Sequence, residues 1–84
     1  MISKVFTVYD SKTEAYLSPF FMQAKGAAIR AFSDLVNDSN HQFGKHPSDY
    51  ILFELGSYDD SRASFDLYSA PVSLGVGVEF VRQN

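Results

Sequence analysis

Apolar and polar positions alternate along most of this chain, and the places where the alternation breaks divide it into elements. Lys4-Val5-Phe6-Thr7-Val8-Tyr9 is β-branched and aromatic and stops at the turn-forming run Asp10-Ser11-Lys12, which predicts a first strand. A second extended stretch, Glu14 to Leu17, follows at hairpin distance. Ser18-Pro19 ends it, because proline lacks a ladder donor and holds the preceding residue extended. From Ala24 to Asn37 the period changes to that of a helix. Ala24, Ala28, Ile29, Ala31, Phe32, Leu35 and Val36 fall within an arc of about 160°, leaving Gly26, Arg30, Ser33, Asp34 and Asn37 on the wet side. Arg30 and Asp34 are spaced to pair on that side, and Asn37-Asp38-Ser39-Asn40 is a strong stop.

Residues 38 to 49 read as a polar loop. A third strand is expected over Tyr50 to Leu55, with Ile51, Phe53 and Leu55 on the core side and Tyr50, Leu52 and Glu54 opposite. Ser57 to Ser61 makes a turn, and Ala63 to Tyr68 a fourth strand with Phe65 and Leu67 inward and Asp66 and Tyr68 outward. Beyond Ala70-Pro71, Val72, Leu74, Val76, Val78 and Phe80 alternate with Ser73, Gly75, Gly77 and Glu79. Residues 71 to 84 therefore read as an intramolecular strand, an arm that adds to a neighbouring subunit, or a loose tail. The two glycines would admit another backbone closely. The expected class is α+β: a small antiparallel sheet of four to five strands packed against one amphipathic helix.

Eighty-four residues leave room for one core, so residues 1 to 84 form a single domain that buries only about 60 to 65% of its unfolded surface. The hydrophobic share of 45%, with eight Phe and five Tyr, supports a packed core. No cysteine is present to staple it, which makes self-association the natural source of further burial and fits a reducing compartment. No stretch is apolar enough for a signal peptide or a membrane span, so a cytoplasmic location and no membrane partner are expected. Ten acidic against seven basic residues give a net charge of −3, which argues against nucleic-acid binding by overall attraction. A local basic patch would be required.

The chemistry of common enzymes is missing. Cysteine nucleophiles are excluded, no serine elbow or phosphate loop occurs, and Gly75-Val76-Gly77 precedes no helix. His41, His46 and Asp49 have the residue types of a metal site, but two solvated loop histidines are the plainer reading. Asp59-Asp60 reads as a turn before it reads as a carboxylate pair. No catalytic group and no cofactor are therefore expected. A binding surface is better supplied. Tyr9, Tyr50 and Tyr68 on outward strand positions and Tyr58 in a turn are rings that either stack on unpaired bases or sit half-buried in the sheet. Lys25 and Gly26 open the helix, where a cation is mildly unfavourable for the dipole, so Lys25 is either kept for a phosphate or is a plain solvated lysine. Lys4, Lys12, Arg30, Lys45 and Arg62 complete the candidate nucleic-acid surface.

Several runs carry a resemblance. Thr7-Val8-Tyr9-Asp10-Ser11-Lys12, Tyr16-Leu17-Ser18-Pro19-Phe20-Phe21, Lys25-Gly26-Ala27-Ala28-Ile29-Arg30-Ala31-Phe32, Val36-Asn37-Asp38, His46-Pro47-Ser48-Asp49-Tyr50 and Phe53-Glu54-Leu55-Gly56 resemble the small nonstructural protein of gokushoviruses, microviruses with circular single-stranded DNA genomes. The likeness spans roughly residues 5 to 60; residues 62 to 84 contribute nothing to it. It implies a non-enzymatic DNA-binding protein, a counterpart of microvirus protein C. Such a protein would act in the infected bacterium at the switch from replication to single-stranded genome synthesis and packaging. Single-stranded DNA is the implied ligand, with the replication initiator or procapsid as alternative protein partners. It specifies no residue-level site.

Overall fold

The computed structural model describes residues 1–82. Strand β1 (Ile2–Asp10) is one of two long inner strands of an antiparallel sheet. One of its edges pairs with β2 (Ala15–Tyr16) and then β3 (Phe20–Met22), two short pieces separated by the Leu17-to-Pro19 step; the other pairs with β4 (Tyr50–Asp59). β4 in turn pairs with β5 (Ser64–Val76), so the order is β2-β1-β4-β5 with β3 on the β2 edge. Helix α1 (Lys25–Val36) crosses one face. A one-turn helix α2 (Gln42–Lys45), a 3-10 turn at Pro47–Asp49 and another at Gly77–Phe80 close the core around it. The result is the expected α+β class.

The apolar stripe of α1 behaves as its spacing predicts: Ala28, Phe32 and Val36 are buried, and Ile29 and Leu35 pack at the margin. They meet Phe6 and Val8 of β1 and Tyr50 and Leu52 of β4. Phe43 and Phe80 close the sides, their rings 5.5 and 5.7 Å from that of Phe32. Asp34 pairs with Arg82 at 2.8 Å rather than with Arg30 one turn back. Asn37, placed by its spacing on the wet side, instead holds Phe80 and Arg82. Its amide donates to the carbonyls of Ser33 and Phe80 at 2.7 and 3.0 Å, and its oxygen accepts from the Arg82 amide at 2.8 Å.

Four expectations change. First, the Ser18-Pro19 stop interrupts the sheet edge without ending it, since β3 resumes one residue later. Second, the polar loop holds two short helical turns. Phe43 is buried, and His41 caps α2 by accepting the Phe43 amide at Nδ1, 3.1 Å away. Third, β4 runs on to Asp59 and faces the opposite way to the expectation: Leu52 (0% exposed) and Tyr50 (8%) face the helix, while Ile51, Phe53 and Leu55 lie half-buried on the other side. Both faces of this strand are apolar, so alternation could not choose between them. Glu54 looked like a solvent marker, yet it sits on the helix side, where Lys4 and the Tyr68 hydroxyl satisfy it. Fourth, β5 is one strand from Ser64 to Val76, not a strand followed by a separate arm. Its N-terminal part faces the opposite way to the expectation: register puts Phe65 and Leu67 on the face the helix leaves open, where they are 54% and 57% exposed, and Asp66 and Tyr68 on the helix side. Val72, Ser73, Gly75 and Val76 pair with β4 within the chain, and the part of the 71-to-84 stretch beyond residue 82 lies outside the described residues. Gly77 makes the close approach its bare face allows: a Cβ there would lie 2.4 Å from the Pro47 carbonyl oxygen.

Three register shifts shape the sheet; one is the extra residue Leu74 of β5, between Ser73 opposite Phe53 and Gly75 opposite Leu52, and the other two meet at the centre of the sheet. β4 carries an extra residue at Leu55 between its pairings with Val5 and Phe6. β5 carries a longer excursion between Leu67, opposite Gly56, and Val72, opposite Glu54. Bulges add local twist and bend the strand. Gly56 sits at the crossing of both, with φ +149° and the Asp66 carbonyl where a Cβ would stand, an arrangement only glycine accepts.

Candidate nucleic-acid interface

The bulge at Leu55 has a consequence for the side of the sheet that the helix leaves open. Before it, Phe53 lies opposite Thr7; after it, Tyr58 lies opposite Ser3. Ser3 and Thr7 are on the same face of β1, so the extra residue returns Tyr58 to the side of Phe53. Register places Tyr16 beside Tyr9, Phe21 beside Val5, and Phe65 beside Tyr58 on that same side. The helix-free face therefore carries six rings in two groups.

The first group lies at the β1–β2 end: Tyr9 to Tyr16 at 4.8 Å and Tyr16 to Phe53 at 5.8 Å between centroids. The second lies toward the β4–β5 turn: Tyr58 to Phe65 at 4.6 Å, Phe21 to Tyr58 at 5.7 Å and Phe21 to Phe65 at 6.3 Å. Between them is a cleft of about 260 Å³ lined by Thr7, Tyr16, Leu17, Pro19, Leu55 and Pro71. Thr7 is buried at its floor and donates its hydroxyl to the Leu17 carbonyl at 2.7 Å. Tyr16, Phe21 and Phe65 keep about half their surface in solvent. Open π faces on a rigid sheet can stack on planar groups or pack against apolar side chains.

Of the ten candidates from sequence, Tyr9 and Tyr58 are on this face. Lys12 and Arg62 stand in the turns at its two ends, β1–β2 and β4–β5. Asp10 shapes the first turn by accepting the Lys12 amide at 3.0 Å. Asp59 shapes the second by accepting the Ser61 amide and hydroxyl at 3.0 and 2.6 Å, bonds that hold its carboxyl below the usual range. Asp59-Asp60 thus closes the β-turn, and the Asp60 carboxylate takes the N-terminal ammonium at 2.7 Å.

The other candidates lie elsewhere. Tyr50 is not a surface ring: it is in the core, 4.5 Å from Phe43, and burial first, then Asp10 and Asp49, raise its phenol pKa. Tyr68 is exposed, but its hydroxyl donates to Glu54 on the helix side, and that bond is the main cause of its raised pKa. Lys4 is on that side too, 3.9 Å from Glu54. Lys25, Arg30 and Lys45 sit on the helices. The candidate cations thus do not converge. Among the described residues no three His, Cys, Asp or Glu side chains gather as a metal would require, and no helix is long and apolar enough to cross a membrane.

Tyr16, Phe21, Phe53, Phe65 and Leu67 are surface-forming residues that sequence reasoning passed over. One signal was present: adjacent strand residues point to opposite faces, so Phe20-Phe21 had to place one ring away from the core. Fold and surface together define a sheet-and-helix domain that presents an uncharged aromatic face. Residues 3–80 match the family model described as Phage ORF5 protein, and the chain belongs to that family of phage proteins. No curated protein and no solved structure matches it.

Proposed function

We propose that this phage protein binds single-stranded DNA on the helix-free face of its sheet. It would act without catalysis in the cytoplasm of the infected bacterium, at the change from genome replication to single-stranded genome synthesis and packaging. The observation that carries the reading is the set of six rings on one face, three of them about half exposed. Unpaired bases stack on such rings at about 1–3 kcal/mol each, with little regard to sequence. β1, at nine residues, gives the platform a length of about 30 Å. The resemblance to the gokushovirus protein supplies the biological setting.

With Lys12 and Arg62 as its cations, the face would neutralise about two phosphates, so log K should fall against log salt with a slope near −1.4. Anisotropy titrations of labelled single-stranded and duplex oligonucleotides across salt test this. Tyr16→Ala and Phe53→Ala should each weaken single-strand binding about 10-fold or more, and Arg30→Ala should leave it unchanged. Absence of binding at low salt by the folded protein would refute the reading.

One observation favours a second reading. The face itself bears no charged side chain and the chain's net charge is −3, which suits a protein partner better than a polyanion. The replication initiator or procapsid would then dock on the same rings without DNA. Pull-downs against those two proteins discriminate, because retention of neither removes the adaptor.

A further inference from the structure

The sheet has two edges, and they are treated differently. On one, β2 and β3 are two and three residues long and are broken at Pro19. The other is the outer edge of β5, a strand of thirteen residues with no strand partner there among the described residues. Short strands, prolines, lysines and bulges keep edges from pairing with other chains. Of its three segments, Tyr68 to Pro71 has a proline and a bulge, and Val72 to Val76 has a second register shift. Ser64 to Leu67 has neither, and it holds two of the most exposed apolar side chains, Phe65 and Leu67.

We infer that Ser64 to Leu67 is a self-association edge, pairing antiparallel with the same segment of a second copy across a two-fold axis. An open backbone ladder and uncovered apolar side chains coincide on one four-residue segment, and a two-fold contact needs a surface complementary to itself. Register decides the charge problem. Centring on Asp66 would oppose two like carboxylates, whereas centring on Phe65 or Leu67 pairs apolar with apolar and holds the Asp66 side chains off the axis. The second aromatic groups of the two copies then adjoin in one widened sheet. A four-residue strand contact involves few side chains and belongs with small, transient interfaces, so the dimer is a weak one. This inference does not depend on DNA binding, since mass and nucleic-acid affinity are read separately.

Sedimentation velocity on the full chain should show the weight-average mass rising from 9.4 kDa toward twice that over about 1 to 500 µM. Phe65→Lys/Leu67→Lys, at positions exposed in the monomer, should weaken the dimer by at least about 100-fold through like-charge opposition while leaving far-UV circular dichroism unchanged. As a second measurement, single cysteines replacing Phe65 or Leu67 in this cysteine-free chain should oxidise to a covalent dimer faster than Ser33→Cys on the helix. Three results would overturn the inference: a monomeric mass throughout, a dimer unaffected by the lysine pair, or cross-linking no faster than at Ser33.

Discussion

Replacing Gly56 by alanine tests the bend at the centre of the sheet. Its φ of +149° lies where side chains are strained, at about 1–3 kcal/mol. The added Cβ would stand 2.2 Å from the Asp66 carbonyl oxygen and 2.8 Å from the Leu67 Cα. Both are backbone atoms, so no rotamer relieves the clash, and forcing the strands apart costs about another 1–3 kcal/mol. The expected loss is near 4 kcal/mol, against a total stability of roughly 4–12 kcal/mol for a domain of this length. In thermal unfolding it appears as a Tm lower by about 15–30 °C. Gly26→Ala is the matched control: it is helical, with nothing within 4 Å of the new Cβ, and should stabilise by about 0.5–1 kcal/mol. Urea and thermal melts of the two variants beside the parent give the comparison. A Gly56→Ala loss under about 1 kcal/mol would refute the argument from φ and close approach.

Leu52→Ala, at a fully buried site between β1 and α1, should cost about 3 kcal/mol by urea titration with m unchanged. Deleting residues 71 to 84 removes half of β5 and Phe80, so the product should lack a cooperative melt, where a dispensable tail would leave it intact. Tyr50 and Tyr68 have raised folded pKa values, so their contribution is complete below the ordinary phenol range and is lost as pH rises through the folded values. Tyr50→Phe/Tyr68→Phe should flatten that alkaline decline in stability. Asp59 has a lowered value, and its contribution is present at neutral pH and lost as pH falls through the folded value; Asp59→Asn should blunt the acid limb of the same melts.

Helix α1 was legible almost to the residue because one face meets protein and the other water, the condition under which a 3.6 period speaks clearly. The class followed from it. β4 was legible as a strand but not in its facing, because Ile51, Phe53 and Leu55 are as apolar as Tyr50 and Leu52, and the one charge between them is satisfied on the helix side. β5 was split in two because Pro71 signals a break, whereas here it lies in a bulge that the sheet absorbs. The candidate surface was legible by residue type and not by position. Tyr9 and Tyr58 share a face only because Leu55 is an extra residue in β4, and a bulge leaves no mark in the alternation on either side of it.

The clasp made by Asn37 bears on how the protein is made. Its amide and oxygen hold Phe80 and Arg82, and Phe80 in turn closes over Phe32. The inner strand β1 meanwhile waits some forty residues for β4, its partner along the whole of its length. A nascent chain emerging from the ribosome has α1 and β1 to β3 available early, but the Tyr50 and Leu52 side of the core they pack against is still to come. The core cannot shut until residue 80 is free, so folding here is an event of the whole chain, and ribosomes stalled short of that point would carry an unfinished, apolar and degradable product.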